Sequence, residues 1–421
     1  MTMELNTVET RPDAVRDGSA HAPGSGASPW ASGSAVYLQR FAVSYEYPVY
    51  FTERLFARDN PVFLDALTRR EPAKRHRFAV FIESNVAASW PTLAHDIAGY
   101  AETHADRLHM VAMPQVLPGG EQVKNDPELV SRLQRELSDM GIDRHSFVVA
   151  VGGGAFLDML GFVSGTTHRG LRHVRVPTTV LAQNDSGVGV KNGVNAFGIK
   201  NLIGTFAPPF AVLNDAEFLR TLQPRDRIAG LAEAVKVALI RDAQFFRWIE
   251  QNSAALRASE PAAMSWAIRR CAELHMRQIA QGGDPFESGS ARPLDYGHWA
   301  AHKLEALTRH ELRHGEAVAI GLALDARYAV QVGMLARGED ERIHRLLKAL
   351  GFYLWHPALE LRTPQGEWSV LRGLQEFREH LGGELTITLL RAIGVGEEVH
   401  RMEEDEILHA LAWLRRQETG Q

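Results

Sequence analysis

"VVAVGGGAFLDMLGF", residues 148–162, runs from an apolar strand through three consecutive glycines into a helical pattern. Glycines in that place let backbone amides approach a pyrophosphate at the N-terminus of the helix. The spacing is not the GxGxxG fingerprint, so a tight strand-to-helix turn is an equally acceptable interpretation. Asp158 lies one turn into the predicted helix, where an ordinary surface acid is also common. The stretch therefore predicts a βα unit and leaves its ligand open.

The segments upstream of this stretch alternate short apolar runs with amphipathic ones. They are "RFAVFIES" (77–84), "WPTLAHDIAGYAETH" (90–104), "LHMVAMPQV" (108–116) and "PELVSRLQRELSDMG" (127–141). Such alternation is typical of a sheet with helices packed on its faces. We predict an α/β domain over residues 36–214, beginning at "VYLQRFAVSYEYPVYF", where aromatic and β-branched residues crowd together as they do in strands.

The pattern changes after "FAVLNDAEFLRTL" (210–222), since apolar residues then recur at helical spacing with few β-branched runs. We predict a mainly helical domain over residues 215–421. The first 35 residues are rich in Gly, Ala, Ser and Pro and lack the continuous apolar segment of a secretory signal. We predict a disordered tail over residues 1–35.

Composition and charge exclude several classes of protein. A chain of 421 residues is long enough for two domains, each with a core of its own. The net charge of −5 gives no electrostatic reason to expect nucleic acid or an anionic membrane as a partner. Cys271 is the single cysteine, and no apolar run reaches the roughly 18 to 20 residues that span a bilayer. We expect a cytoplasmic protein.

A glycine-rich segment, residues 168–206, gathers groups that suit a phosphorylated polyol. They are Asp185, Lys191, Asn195, Lys200 and Asn201. Lysines and amides on a flexible loop bind phosphate and hydroxyl groups well. A polar surface loop without a ligand has the same composition, so both interpretations stay open.

Histidines and acids cluster in "LDYGHWAAHKLEALTRHELRHGE", residues 294–316. His298 and His302 are four residues apart and share a helical face, and His314 begins a further helix. Two histidines with one carboxylate form a common catalytic zinc site. Glu233 in "AGLAEAVKVAL" is a candidate carboxylate, although Glu233 and Lys236 could instead form a buried ion pair. Spacing alone does not choose among the histidines.

At this point the chain resembles the sugar phosphate cyclases, the family of 3-dehydroquinate synthase. The similarity runs from about residue 80 to residue 395, and its motifs occur in the family's order. The motifs are "GGGAFLDMLGF", "RG" at 169–170, "VPTTVLAQNDSGVG", "KNLIGTF", "FLRTL", "GLAEAVK", "GHWAAHKLE" and "HGEAVAIG". The resemblance implies an α/β fold with an N-terminal Rossmann-like NAD-binding domain followed by a mostly α-helical metal-binding domain.

The resemblance also implies roles for individual residues. Glu233, His298 and His314 match the ligands of a Zn²⁺ or Co²⁺ ion, while His310 matches no functional position. The residues matching catalytic positions are Asp185, Lys191, Lys236 and His302. The residues matching the NAD site are Glu83, Asn85, Glu121, Lys124, Gly153, Gly154, Asp158, Thr178, Thr179, Phe218, Thr221 and Leu222. The implied reaction is NAD- and zinc-dependent oxidation, phosphate elimination and intramolecular aldol closure.

Substrate contacts are the part in which the chain departs from 3-dehydroquinate synthases. The candidates are Arg169, Lys200, Asn201, His275, Arg292, Asp295 and His380. His275 and Asp295 stand where those enzymes usually have a lysine and an asparagine, and His380 lies near the place of another missing lysine. Losing cationic partners weakens recognition of a carboxylate. The stretch "GGDPFESGSARPLDYGHWAAHKLE" (282–305) instead resembles the branch of the family that cyclises sedoheptulose 7-phosphate to valiolone-type or deoxygadusol-type cyclitols. The resemblance therefore implies sedoheptulose 7-phosphate, which has no carboxylate, as the substrate and a cyclitol as the product.

Arg292 lies close to the sequence position at which the family has a carboxylate-binding arginine, and it could still bind a carboxylate. A divergent 3-dehydroquinate synthase is therefore the alternative. Arg169 matches an arginine that reaches a phosphate across a subunit interface, which implies a homodimer. A metal-dependent polyol dehydrogenase has the same general architecture but would release reduced cofactor. A non-catalytic descendant is the remaining class, and the intact metal-ligand and lysine positions argue against it.

Overall fold

Parallel β-strands carry the first half of the fold. A computed structural model describes residues 38–286, 293–380 and 385–419 of the chain. The predicted tail, residues 1–35, lies outside the described residues. Within these ranges the strands are β1 (Val49–Thr52), β2 (His76–Glu83), β3 (Leu108–Met110), β4 (Gln115–Leu117), β5 (Phe147–Gly152), β6 (Arg172–Pro177), β7 (Lys191–Ala196), β8 (Ile199–Phe206), β9 (Ala211–Asp215), β10 (Ile387–Ala392) and β11 (Val395–Val399).

Seven of these strands form one sheet in which every pairing is parallel. Its order is β1-β9-β6-β5-β2-β3, and β4 continues along the same edge of β2 beyond β3. After β2, the next strand in the chain, β3, is added on one side; after β5, the strands β6 and β9 are added on the other side. The strand order therefore reverses between β2 and β5, and ligands of open α/β sheets bind at the carboxyl ends of strands at such a point.

Fifteen α-helices lie in the described residues. They are α1 (Val62–Thr68), α2 (Ser84–Ser89), α3 (Leu93–Thr103), α4 (Pro127–Asp139), α5 (Gly154–Thr166), α6 (Pro224–Ala229), α7 (Leu231–Arg241), α8 (Ala243–Gln251), α9 (Ser253–Arg257), α10 (Pro261–Gln281), α11 (His298–Leu307), α12 (His314–Gln331), α13 (Glu339–Leu350), α14 (Arg372–His380) and α15 (Glu404–Thr419). The predicted α/β fold with a mostly helical second part is confirmed.

The sheet has a hydrophobic core on each face, because alternate side chains of a strand point to opposite sides. Phe78, Val80 and Ile82 of β2 pack with α1 and α3 in one core. Ala79 and Phe81 pack with α4 and α5 in the other. Burial on both faces explains why β2 and β5 read as nearly continuous apolar runs.

Helix α7 is at the centre of the second part. Every residue from Leu231 to Ile240 is buried, including the charged residues Glu233 and Lys236. Side chains of α7, α10, α11 and α12 share one large core. Charged groups at the centre of such a core cost free energy unless they are paired or bind an ion. The position of these two residues therefore requires a functional or an electrostatic explanation.

Two antiparallel hairpins interrupt the predicted pattern. β7 and β8 pair in residues that the sequence predicted as a glycine-rich loop, and β10 and β11 pair in the second part. The loop prediction was wrong for residues 191–206, where glycines lie within strands: Gly193 and Gly204 face each other across the pair, and a side chain on Gly204 would collide with the backbone of Asn192. Close backbone approach, rather than flexibility, explains these glycines.

The described residues from 45 onward form one compact unit. The sheet ends with β9 at Asp215, one residue beyond the predicted boundary at 214, and whether the chain divides into two domains there stays a prediction. Residues 38–48 are extended coil, so the strand expected at "VYLQRFAVSYEYPVYF" is limited to β1 in the part the structure describes. No helix among the described residues is long and apolar enough to cross a membrane.

Candidate active site

A deep cleft of about 1520 Å³ opens beside the carboxyl ends of β2 and β5. Most of the predicted site residues line it, although they come from separate parts of the sequence. Those lining the cleft are Glu83, Glu121, Lys124, Gly153, Gly154, Asp158, Thr179, Asp185, Lys191, Lys200, Asn201, Lys236, His275, Asp295, His298, His302 and His314. The fold thus collects the predicted nucleotide, sugar phosphate and metal groups around one cavity.

Glu233, His298 and His314 converge beside the cleft, which His298 and His314 line while Glu233 lies buried behind them. One ligand atom from each residue lies within 4.8 Å of the others. Glu233 Oε1 is 3.7 Å from His298 Nε2 and 3.4 Å from His314 Nε2. A carboxylate and two imidazoles, facing one another and open to the cleft on one side, have the composition of a catalytic zinc site.

Three helices hold these groups in place. Glu233 lies in the first turn of α7, and His298 and His314 are the first residues of α11 and α12. Gly297 has φ +78°, and a side chain on Gly321 would collide with its carbonyl group, so α11 begins directly against α12. Asp325 of α12 accepts hydrogen bonds from the Gly297 amide (3.1 Å) and the Trp299 indole (2.9 Å). These contacts fix where His298 begins its helix.

The Glu233 carboxylate fits a cation. Both of its oxygens are buried without a hydrogen bond of ordinary geometry to the described residues, although the Lys236 ammonium contacts Oε2. Burial lowers the pKa of His314, but the Glu305 and Glu233 carboxylates outweigh it and raise the pKa to about 9. A metal ion between Glu233 and His314 would take the place of the charge that these carboxylates stabilise on His314, since histidine ligands bind as neutral imidazoles.

Lys236 and Asp185 occupy the wall next to this cluster. Lys236 is buried, and the carboxylates of Glu233 and Asp185 raise its pKa above the usual value although burial acts in the opposite direction. His275 Nδ1 lies 2.7 Å from Asp185 Oδ1. The sequence left a buried ion pair and a functional site as alternatives for Glu233 and Lys236. The structure shows the ion pair beside the histidine cluster, and the functional role stays a prediction.

The β7–β8 hairpin supplies the cleft's opposite wall. Lys191 begins β7 and Lys200 lies on β8, where its ammonium is 3.1 Å from Glu305 Oε1. Lys124 donates to Asp158 at 2.9 Å and also contacts the Asn201 side chain. These ion pairs and hydrogen bonds attach the hairpin to both parts of the chain.

A buried arginine shapes the segment that precedes Lys191. Arg175 of β6 donates to the carbonyl oxygens of Gly187 (3.0 Å), Gly189 (2.8 Å) and Lys191 (3.3 Å) and to Asn192 Oδ1 (2.6 Å). A fully buried guanidinium needs several acceptors to offset its lost hydration. Arg175 therefore holds the backbone between Asp185 and Lys191 in one conformation.

The edge of the sheet beside the cleft has the features of a dinucleotide site. Glu83, at the end of β2, accepts hydrogen bonds from the amides of Gly120 (3.2 Å) and Gly153 (2.7 Å). Gly154 begins α5, and no side chain caps that helix, so its first amides face the cleft. A side chain on Gly154 would collide with Ser186. The glycine turn, the uncapped helix and the strand-order reversal fit a pyrophosphate.

The remaining predicted residues lie beside the cleft or away from it. Thr178 is buried, and Asn85 approaches Glu83. Phe218 and Thr221 contact Trp90, and Leu222 follows them. Arg169 is exposed on the surface after α5. Arg292 lies outside the described residues, and so does the side chain of His380 at the end of α14.

Several residues around the site were not predicted. Glu305 bonds both His314 and Lys200, and Trp90 packs against the predicted cofactor residues. Asp325 is an acid within the apolar run "AVAIGLALDA", and that anomaly is a sequence signal that could have identified it. Arg175 had no such signal, because Arg172 and His173 precede it in the same strand. Glu305 had no such signal, because its place three residues after His302 is also that of an ordinary helix-surface acid.

Comparisons with known proteins agree with this geometry. The family model described as 3-dehydroquinate synthase N-terminal matches residues 114–229, and the C-terminal model matches residues 230–366. The 3-dehydroquinate synthase of Pelotomaculum thermopropionicum is 44% identical over 295 residues, which are 70% of this chain and 77% of that protein. That of a Ruegeria species is 35% identical over 340 residues, covering 80% of this chain and 88% of the relative.

A solved structure is similar over a larger share of the chain. It is the 2-epi-5-epi-valiolone synthase of Streptomyces hygroscopicus subsp. jinggangensis with NAD⁺ and Zn²⁺ bound. The two chains are 30% identical, with a TM-score of 0.79 over 90% of this chain and 100% of the other. The relatives thus include proteins named for two different cyclisation products.

Proposed function

Because this chain belongs to the 3-dehydroquinate synthase family, we propose that it is a sugar phosphate cyclase, a phosphate-eliminating carbon–oxygen lyase. The observation that carries the proposal is the single cleft that joins a Glu-His-His cluster to a dinucleotide edge and to four lysines. Bound NAD would accept and return a hydride, and bound zinc would polarise the hydroxyl group being oxidised. Glu233, His298 and His314 would hold the metal, Gly154 and the first turn of α5 would face the pyrophosphate, and Glu83 would belong to the NAD site as the holder of the Gly120 and Gly153 turns.

The chain's own polar groups would hold the sugar phosphate. Lys191, Lys200 and His302 line one side of the cleft and offer donors to a phosphate. Lys236 and Asp185 lie beside the Glu-His-His cluster, where they would orient the hydroxyl groups next to the reacting carbon. Phosphate leaves by elimination and an aldol step closes the ring, so the net reaction involves no oxidation.

We propose sedoheptulose 7-phosphate as the substrate. His275 has one ring nitrogen engaged by Asp185, and Asp295 lines the cleft close enough to Lys236 that its carboxylate helps to raise the pKa of that lysine. The carboxylates of Asp185 and Asp295 would repel a carboxylate of the substrate bound beside them. The alternative, a divergent 3-dehydroquinate synthase, is supported by the names of the sequence relatives and by Arg241 and Arg277 in the cleft lining.

The substrate comparison is the first test. We expect kcat/KM for sedoheptulose 7-phosphate to exceed that for the seven-carbon keto-acid phosphate of 3-dehydroquinate synthase by about 10- to 100-fold, since each lost charge-assisted hydrogen bond costs about 1.5–3 kcal/mol. Phosphate release gives the rates and mass spectrometry the products. A preference for the keto-acid phosphate would establish the alternative, and stoichiometric NADH accumulation would indicate a polyol dehydrogenase.

A paired variant makes this test sharper. Asp295→Asn removes one negative charge from the cleft and keeps the side-chain size. We expect it to raise kcat/KM for the keto-acid phosphate about tenfold, because like-charge repulsion is removed, and to change that for the neutral sugar far less. Asp284→Asn changes another acid of the cleft lining and serves as the comparison. Equal effects of Asp295→Asn on both substrates would show that Asp295 does not face the carboxylate position.

We also propose a cytoplasmic homodimer, with the β7–β8 hairpin in its interface. Phe197, Ile199, Leu202 and Ile203 are exposed, and Phe197 at the tip is 91% exposed. Apolar side chains grouped in this way on a surface usually mark a contact site. Arg169 is also exposed, as a residue that reaches into a partner subunit must be.

The hairpin can be tested by light scattering at micromolar concentration. We expect wild-type protein to have the mass of a dimer and the variant Phe197→Asp/Ile199→Asp to have that of a monomer, because two buried charges would oppose association. Phe197 has φ +52°, a conformation that aspartate adopts more readily than phenylalanine, so the variant should fold. Tyr353→Asp, which changes an exposed aromatic residue far along the chain, is the control. A variant that stays dimeric would exclude the hairpin.

A further inference from the structure

Glu305 connects two walls of the cleft through one carboxylate. The residue lies on α11 and is 3% exposed. Its Oε2 is 3.1 Å from His314 Nδ1, and its Oε1 is 3.1 Å from Lys200 Nζ. One buried acid thus joins the first residue of α12 to the β7–β8 hairpin.

We propose that Glu305 is a positioning residue that orients the His314 imidazole for metal binding. Because Nδ1 faces Glu305, it is Nε2 that faces Glu233, at 3.4 Å from Oε1. An acceptor at Nδ1 keeps the proton on that nitrogen and leaves the Nε2 lone pair for a metal. The inference rests on the metal site of the proposed function, and it adds a role for a residue that touches neither metal nor substrate.

Lys200 completes the arrangement. Its ammonium pairs with the second carboxylate oxygen, so the buried charge of Glu305 is compensated and the carboxylate cannot rotate freely. Alignment of the metal ligand therefore depends on contacts made by β8, far from Glu233 in sequence.

A second cation is the competing explanation. His302, Glu305 and His314 also bring ligand atoms within 4.8 Å of one another. Two ions would require His314 to bind through both ring nitrogens, and its imidazole would then have to lose both protons. The Lys200 ammonium already occupies one oxygen of Glu305, which opposes a second positive charge there. The geometry therefore favours one metal ion per chain.

Zinc affinity measures this role directly. The purified protein is stripped of metal and titrated with Zn²⁺ in competition with a chromogenic chelator. We expect Glu305→Met, which keeps most of the volume and removes both hydrogen bonds, to weaken zinc binding about 10- to 100-fold. Glu305→Gln keeps an acceptor for Nδ1 but no charge, so we expect a smaller loss of about three- to tenfold, again with one ion at saturation.

Cobalt provides a spectroscopic measurement that a purely structural role would not change. We expect the visible bands of the Co²⁺-loaded protein to shift in Glu305→Met, because a misaligned His314 alters the ligand geometry. The control is Glu376→Gln. It removes a carboxylate of α14 that pairs with Lys303 of α11, and it should leave zinc affinity and the cobalt spectrum unchanged. Melting temperatures of the metal-free proteins identify any variant that does not fold. If Glu305→Met does not fold, the zinc affinity and cobalt spectrum of Glu305→Gln test the positioning role.

The outcomes separate this inference from the proposed function. If a folded Glu305 variant binds zinc with the affinity of the wild type, and its cobalt spectrum is also unchanged, the positioning role is wrong while the metal site remains supported. Two zinc ions per wild-type chain would overturn it in favour of the second cation. A wild-type protein that binds no zinc would overturn both the inference and the metal-dependent part of the proposed function.

Discussion

His314→Ala is expected to remove bound zinc and to reduce phosphate release to background. The substitution leaves Glu233 and His298 as the two remaining ligands of a three-residue set. Lewis-acid stabilisation by a metal is worth several kcal/mol, so loss of the ion should lower kcat by at least about 10³-fold. Elemental analysis after gel filtration measures the metal, and a phosphate assay measures the turnover.

The control for this variant is His409→Ala. His409 lies on α15, and its side chain is 70% exposed, so its removal should affect neither zinc content nor turnover. His314→Ala could also act through stability, because His314 forms a hydrogen bond with the buried Glu305 carboxylate and lies 3.4 Å from that of Glu233. Circular dichroism of both variants addresses this possibility. A folded His314→Ala protein that keeps zinc and activity would show that the ion, if bound, lies elsewhere.

The histidine cluster shows what could be predicted from the sequence. Its helical spacing placed His298 and His302 on one face, and the family motifs selected His298 and His314 from four candidates. Spacing could not bring Glu233 to them, since α7 and α12 meet only through tertiary packing in a large core. Only the resemblance to the family predicted that Glu233 lies with His298 and His314.

The hairpin shows why the rest could not be predicted. Residues 191–206 contain three glycines and several polar residues, a composition typical of loops. β7 and β8 pair with each other, and Arg175 and Lys124, which lie outside residues 191–206, bind their backbone and side chains. Glu305 was missed for the same reason. Its importance depends on His314 and Lys200, which approach it only in the folded protein.

Lys236→Met is expected to lower kcat by about 10²- to 10³-fold, the usual effect of removing one charge-stabilising donor from an active site. The methionine keeps most of the side-chain volume, so packing around α7 should survive. The structure adds a consequence for stability, because the Lys236 ammonium contacts Glu233 in a core where both side chains are buried. Removing it leaves that carboxylate without compensation, which should cost the metal-free protein about 3–5 kcal/mol.

Metal loading separates the two roles of Lys236. Zinc bound at Glu233 supplies the missing positive charge, so the melting temperature of zinc-loaded Lys236→Met should approach that of the zinc-loaded wild type while kcat stays low. Lys74→Met, which breaks a half-exposed ion pair with Glu71 and leaves Arg172 as the partner of that acid, should leave kcat unchanged and cost at most about 1 kcal/mol. Near-normal turnover in a zinc-loaded Lys236→Met protein that is unstable without metal would make Lys236 a partner of Glu233 alone, and orientation of the sugar would then have to be assigned to Lys191 and Asp185.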